Sequence, residues 1–290
     1  MEESIQIGAY TLLSDFQMKD GGNCEWTFAS KEGETYFIKK LLSPVYPNAN
    51  ASMSENTRKR RQKICDDFKE KSEHLFQEIR NASKGNSIAP IDFFVHDGRF
   101  YIVTEKVDAA ISFKELAEKS EEQKMMIMKV LAYEFGALSV KKIVHSDLKP
   151  ENLLIKKTID GFYTVKIIDF GESFFQNAVP DPDSLKGDQV YYSPEFVTAI
   201  KKEEGEAITP KSDVFALGII FHEILCGKRP ETGKYNYLCE AVLNDEAIAI
   251  NTSIPKKFHD LLRNMLKKSP KERYSAGKVF RNLQAIEKLR

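Results

Sequence analysis

One octapeptide limits what this chain can fold into more than any other stretch: His145-Ser146-Asp147-Leu148-Lys149-Pro150-Glu151-Asn152, followed after a short hairpin by Ile168-Asp169-Phe170-Gly171. The first motif puts a carboxylate, an ammonium and an amide into one loop. The second sets another carboxylate at the end of the next strand. An acidic turn between strands accounts for one aspartate, but not for two motifs in order. Transfer of a phosphoryl group asks for this set: a group to orient a hydroxyl, a cation for the moving phosphate, and oxygen ligands for Mg²⁺.

The elements around these motifs fall into two textures that change near Lys106. Strand-like runs occupy 10–13, 26–29, 36–41, 88–95 and 100–105. Lys31-Glu32-Gly33-Glu34 and His96-Asp97-Gly98-Arg99 supply turn chemistry between neighbouring runs, which predicts antiparallel hairpins. One helix, predicted over 56–82, interrupts them with an apolar face of Ile64, Phe68, Leu75, Phe76 and Ile79. It follows a loop, 43–54, rich in Pro, Asn and Ser. Beyond Lys106 the pattern is helical, over 121–140, 211–226, 256–267 and 275–288. The expected fold class is α+β in a single domain over 1–290, with a sheet-rich N-terminal lobe (about 1–105), a helical C-terminal lobe (106–290) and a ligand cleft at their junction.

The two motifs resemble the catalytic loop and D-F-G of eukaryotic-type Ser/Thr protein kinases, and the resemblance extends over nearly the whole chain. It implies a bilobal protein-kinase fold, an antiparallel-sheet N-lobe with one main helix over a helical C-lobe. It also implies transfer of the γ-phosphoryl group of ATP to hydroxyls of a protein substrate, autophosphorylation, and ATP and Mg²⁺ as cofactors. By this resemblance Asp147 is the catalytic base, Lys149 contacts the γ-phosphate, and Asn152 and Asp169 hold Mg²⁺. Tyr36-Phe37-Ile38-Lys39 is similar to the V-A-I-K strand, so Lys39 is expected to grip the α- and β-phosphates. Strand alternation puts Phe37 and Lys39 on one face and Lys40 on the other.

Lys39 calls for a carboxylate on the helix, and the sequence leaves its identity open between Glu70 and Glu73. Counting back from Ile88 favours Glu73, while helix length and the long preceding loop allow Glu70. The glycine-rich loop is degenerate, with Gly21 and Gly22 the nucleotide-binding candidates and Lys19 and Cys24 in place of outer glycines. Trp26 stands where a valine usually covers the adenine, and Phe37 where a small alanine does. The stretch from Phe100 to Val107 resembles a strand and hinge, with Thr104 as gatekeeper, the backbone of Glu105 and Val107 facing adenine, and Leu154 as pocket floor. Tyr191-Tyr192-Ser193-Pro194-Glu195 resembles the end of an activation segment, and Arg273 stands where the family's arginine pairs with the Glu195 position.

Two departures stand out. Ser146 replaces the arginine that receives an activation-loop phosphate, and Asp188 replaces a threonine that contacts the catalytic Asp and Lys. An aspartate at 188 is expected either to pair with Lys149 or to bind a basic substrate residue. Lys149 in D-L-K-P-E-N matches Ser/Thr rather than tyrosine specificity. Lys plus Arg and Asp plus Glu are 43 each, giving no global field to attract nucleic acid, which leaves the basic run 58–63 as the one local patch and a solvated helix end as its simplest reading. Four scattered cysteines suit a reducing compartment, the N-terminus has no signal-peptide pattern, and the apolar stretch 214–226 is too short to span a bilayer. The expectation is a cytoplasmic protein with no membrane partner, similar to the stand-alone kinases of bacteria. A pseudokinase or scaffold, and a small-molecule hydroxyl kinase, are the alternatives.

Overall fold

Alternation of apolar and polar residues builds a sheet in the first third of the chain. The computed structural model describes residues 5–18, 24–48 and 52–288. They form two units, Met1–Arg80 with Ile88–Val107, and Asn81–Ser87 with Asp108–Arg290. In the first, strands β1 (Gln6–Ile7), β2 (Tyr10–Leu12), β3 (Cys24–Lys31), β4 (Glu34–Val45), β5 (Asp92–His96) and β6 (Arg99–Glu105) make one antiparallel sheet, ordered β1-β2-β3-β4-β6-β5. One face buries Ile7, Tyr10, Ala29, Ile38, Tyr101 and Val103.

Helix α1 (Glu55–Ala82) covers the other face. Its Phe68 meets Phe100 at 4.9 Å between ring centroids and its Phe76 meets Phe93 at 5.4 Å. Phe76 and Phe100, the buried rings of these pairs, contribute about 1.5–3 kcal/mol each of apolar transfer. The buried stripe runs through Cys65, Ser72, Leu75, Phe76 and Ile79, whereas Ile64, expected on it, is 49% exposed. A 3- and 4-residue rhythm continued back from Ile79 lands on 65, not 64. Strand β5 begins at Asp92 rather than at Ile88, since Pro90 lacks the N–H that a ladder needs.

The second unit contains α2 (Phe113–Leu116), α3 (Glu121–Val140), the paired strands β7 (Ile143–Val144) and β10 (Phe174–Phe175), the hairpin β8 (Leu153–Lys157) and β9 (Tyr163–Ile167), and α4 (Pro194–Ile200), α5 (Lys211–Cys226), α6 (Leu238–Leu243), α7 (His259–Met265) and α8 (Ala276–Glu287). Helix α3 starts where Ser120 caps the Gln123 N–H. Helix α5 stops at Gly227, whose φ of 73° lets its N–H reach back to the Glu223 carbonyl at 2.7 Å. Its 16 residues are almost all buried, making it the axis of this unit.

The boundary lies at Val107, two residues beyond the expected one, and residues 81–87 join the second unit. The fully buried carboxylate of Glu134 on α3 accepts from the N–H of Lys84 at 3.0 Å, the N–H of Asn86 at 3.3 Å and the Ser87 hydroxyl at 2.9 Å. The Ile167 N–H donates to the Asn86 carbonyl at 2.7 Å, so this loop is stitched to both α3 and β9. No helix among the described residues is long and apolar enough to cross a membrane.

Candidate active site

In the second unit, the loop between β7 and β8 gathers the charged groups. Lys149 Nζ lies 2.7 and 2.9 Å from the two carboxylate oxygens of Asp147, which is 9% exposed. Asn152 Nδ2 donates to the Asp147 carbonyl at 2.7 Å and to its Oδ2 at 3.2 Å. With that nitrogen committed, the amide oxygen of Asn152 is the atom left for a ligand. Burial pulls the Lys149 ammonium down, but the bond to Asp147 and the nearby Asp188 and Asp169 outweigh it and hold the pKa above its usual value.

Asp169 is tied to this loop through the backbone. The Ile168 N–H donates to the Asn152 carbonyl at 3.0 Å, and Asp169 itself takes φ = 65°, a left-handed conformation that non-glycine residues adopt rarely. Its Oδ1 accepts from the Gly171 N–H at 3.4 Å. Asn152 and Asp169 together offer an amide oxygen and a carboxylate, hard donors of the kind Mg²⁺ takes when phosphate and water fill its other positions. Two protein ligands fall short of a dedicated cage, and no group of three His, Cys, Asp or Glu among the described residues makes one.

What holds the loop in shape was not read from the sequence. Asp213, in the first turn of α5, accepts from the His145 N–H at 2.9 Å and the Ser146 N–H at 3.1 Å, which supports Ser146 at φ = 74°. Full burial pushes the Asp213 carboxyl up to about 7, against the pull of those two bonds. The signal in the sequence was an acid opening a run of apolar residues. Behind the loop, the buried His145 ring donates from Nε2 to the Ile168 carbonyl at 3.2 Å and packs at a tilt against Phe170, 4.8 Å between ring centroids. Its Nδ1 has no hydrogen-bond partner, so this ring is neutral, and burial lowers its pKa.

The segment after Asp169 is fixed by neutral hydrogen bonds. Ser146 Oγ donates to the Lys186 carbonyl at 3.1 Å, and the Tyr192 hydroxyl to the Gly187 carbonyl at 2.9 Å. Gly187 is obligatory, because a Cβ there would lie 2.8 Å from the Ser146 oxygen and 2.9 Å from the Tyr192 ring. Asp188 spends a carboxylate oxygen on the Val190 N–H at 2.9 Å, which caps the following turn, and forms no ion pair with Lys149. Farther on, Arg273 meets Glu195 through two bonds of 2.7 and 2.9 Å, both side chains buried. The guanidinium also donates to the carbonyls of Lys211, Lys267 and Lys268.

In the first unit, Lys39 stands half-buried on β4, opposite Trp26 on β3 and Ile102 on β6. Lys40 points to the other face, 2.6 Å from Glu25 and 5.1 Å from the Phe16 ring, as alternation requires. Glu70 and Glu73 are both exposed on α1, and Glu73 pairs with Lys69 at 3.7 Å, so neither carboxylate reaches Lys39. The buried stripe of the helix carries Ser72 between them, because a glutamate there needs a partner to offset its desolvation. Glu105 is exposed at the end of β6, Val107 half-buried at the end of the unit, and Leu154 half-buried on β8 of the second unit. Gly21 and Gly22 lie outside the described residues.

Residues 51–283 match the protein kinase domain family model. A serine/threonine-protein kinase of Corynebacterium efficiens is 32% identical over 160 residues, 54% of this chain and 29% of that protein. Calcium-dependent protein kinase 19 of Arabidopsis thaliana is 34% identical over 144 residues, 48% and 24% respectively. A probable serine/threonine-protein kinase of Clostridium perfringens is 29% identical over 221 residues, 72% and 31%. The chain thus spans less than a third of the length of these curated relatives.

Proposed function

The chain belongs to the protein kinase domain family, and from that membership we propose that it transfers the γ-phosphoryl group of ATP to serine and threonine hydroxyls of a protein, itself included. The observation that carries the reading is that Lys149 and Asn152 both meet the Asp147 carboxylate, at 2.7 and 3.2 Å. Asp147 orients the acceptor hydroxyl and takes its proton as the oxygen attacks. Lys149, kept charged by its acidic neighbours, neutralises the transferring group. Asn152 and Asp169 are the residues to hold Mg²⁺, which when bound supplies charge neutralisation to the phosphates. Lys39 takes the α- and β-phosphates. Ser/Thr specificity follows from the similarity to serine/threonine-protein kinases and from the D-L-K-P-E-N loop.

Purified protein incubated with Mg²⁺ and γ-labelled ATP is expected to label itself and a protein acceptor, and Asp147→Ala and Asp169→Ala to lose the label. Labelling that survives both substitutions removes the assignment. A scaffold without activity is the second reading, favoured by the exposure of Glu70 and Glu73. It predicts no label in the unaltered protein. Turnover of a sugar or choline hydroxyl without protein labelling would instead mark a small-molecule kinase, a reading opposed by the buried Glu195–Arg273 clamp on the segment that faces a protein substrate in kinases.

A further inference from the structure

The sheet face that carries Lys39 also carries three aromatic rings. Trp26 pairs with Lys39 and Phe28 with Phe37 across β3 and β4, so all four side chains project to the same side. The ring centroids lie 5.6 Å apart for Trp26 and Phe37, 5.9 Å for Trp26 and Phe28, and 5.7 Å for Phe28 and Phe37. All three are half-buried, whereas Thr27, Ala29 and Ile38, alternating with them on the opposite face, are fully buried. The rings are therefore not filling for the core beneath the sheet.

Their positions are held. The Trp26 N–H and carbonyl exchange two 2.8 Å bonds with Gln17, and the Lys106 ammonium sits 5.5 Å from the Phe28 ring. A half-open aromatic surface fixed beside a phosphate-gripping lysine offers π-faces to a heterocycle. A planar base gains from such contact through ring overlap, whatever hydrogen-bonding groups its edge carries.

We propose that Trp26 and Phe37, backed by Phe28, receive the base of the nucleotide by stacking, so that the protein selects purine triphosphates by ring area more than by the hydrogen-bonding edge. The proposal rests on the kinase reading above and assigns the base specificity of that same site. Adenine and guanine present different edges, and a site that reads an edge rejects the wrong partner by orders of magnitude. A stacking site accepts both bicyclic bases and holds the smaller pyrimidines less well.

Trp26 is the one tryptophan in the chain, so its emission reports directly on the platform. Emission and calorimetry are to be followed while ATP, GTP, CTP and base-free ribose 5-triphosphate, each with Mg²⁺, are titrated into the protein. ATP and GTP are expected to quench the emission with affinities within about tenfold of each other, and CTP to bind more than about tenfold more weakly. Ribose 5-triphosphate is expected to bind in the calorimeter and leave the emission unchanged. Phe37→Leu, which keeps apolar bulk and removes the ring, is expected to weaken both purines by about tenfold.

ATP that binds by calorimetry without altering Trp26 emission overturns the stacking platform, as does rejection of GTP by more than about a hundredfold. Unchanged or tighter purine binding in Phe37→Leu does the same, by showing that the rings only occupy space. In each of these cases phosphoryl transfer persists and the kinase reading stands. Absence of both nucleotide binding and label transfer removes the kinase reading first, and the platform with it.

Discussion

The loop that carries Asp147 and the sheet that carries Lys39 are built on opposite plans. Around Asp147 both backbone and carboxylate are held by side chains: Asp213 holds the backbone from one side, Asn152 from another, and Lys149 neutralises the carboxylate. Around Lys39 the helix glutamates face solvent, and aromatic rings share the lysine's side of the sheet. A site that manages developing charge needs preorganised dipoles, which only a satisfied buried network supplies. A surface that takes up a planar base needs area, which tolerates substitution. The same asymmetry separates what each region loses when one residue changes.

The largest effect belongs to the charged loop. Asp147→Asn keeps the shape and removes the base, so kcat for protein phosphorylation is expected to fall on the order of 10³-fold. A fall no greater than that of a surface substitution would place the chemistry elsewhere. Next comes the clamp behind it. Arg273→Ala leaves Glu195 buried without its cation, at a cost of about 3–5 kcal/mol in denaturant unfolding. Arg273→Met with Glu195→Leu recovers part of that loss, and a double variant less stable than either single one would contradict the pairing.

A smaller effect concerns pH. In the folded chain Asp213, raised to about 7, keeps a proton over a range where an unfolded aspartate, near 4, has lost it. The unfolded state then binds fewer protons, so this group's contribution to stability declines as pH rises from about 4 to about 7. Asp213→Asn removes the titration, and its unfolding midpoint is expected to vary less between those limits than that of the unaltered protein. Parallel curves would show that Asp213 titrates normally. The smallest effect is predicted on the helix of the first unit, where Glu73→Gln, exposed and paired only with Lys69, changes stability by less than about 0.5 kcal/mol. Its kcat should stay within about twofold, since one surface pair is worth under 1 kcal/mol. A tenfold loss would mean that this carboxylate grips Lys39 during turnover and that the two regions are less different than they look.

The same contrast explains what the sequence made legible. Helices Glu121–Val140 and Lys211–Cys226 match their predicted ranges, and the structure shows Ser120 capping the start of the first and Gly227 ending the second by local backbone chemistry. The positions of Asp147, Lys149, Asn152 and Asp169 were equally plain, since contiguous motifs carry their own spacing. The role of Asp213 was not, because its partners at 145 and 146 are distant in sequence and an isolated acid at a helix start reads as an ordinary first-turn carboxylate. The apolar face of α1 was legible at Phe68, Leu75, Phe76 and Ile79 and was missed at Ile64, which is 49% exposed. Residues 81–87 looked like a plain connection, and only the buried Glu134 on another helix gives them to the second unit.

The clamp between Glu195 and Arg273 has a consequence for how the protein is made. Its two halves are 78 residues apart, and the arginine also fastens the carbonyls of Lys267 and Lys268. Synthesis runs from the N-terminus, so the ribosome delivers Asp147, Lys149 and Asp169 long before the side chain that secures the segment following them. A nascent chain thus carries these three side chains before the segment around Glu195 is fastened, and maturation waits for Arg273.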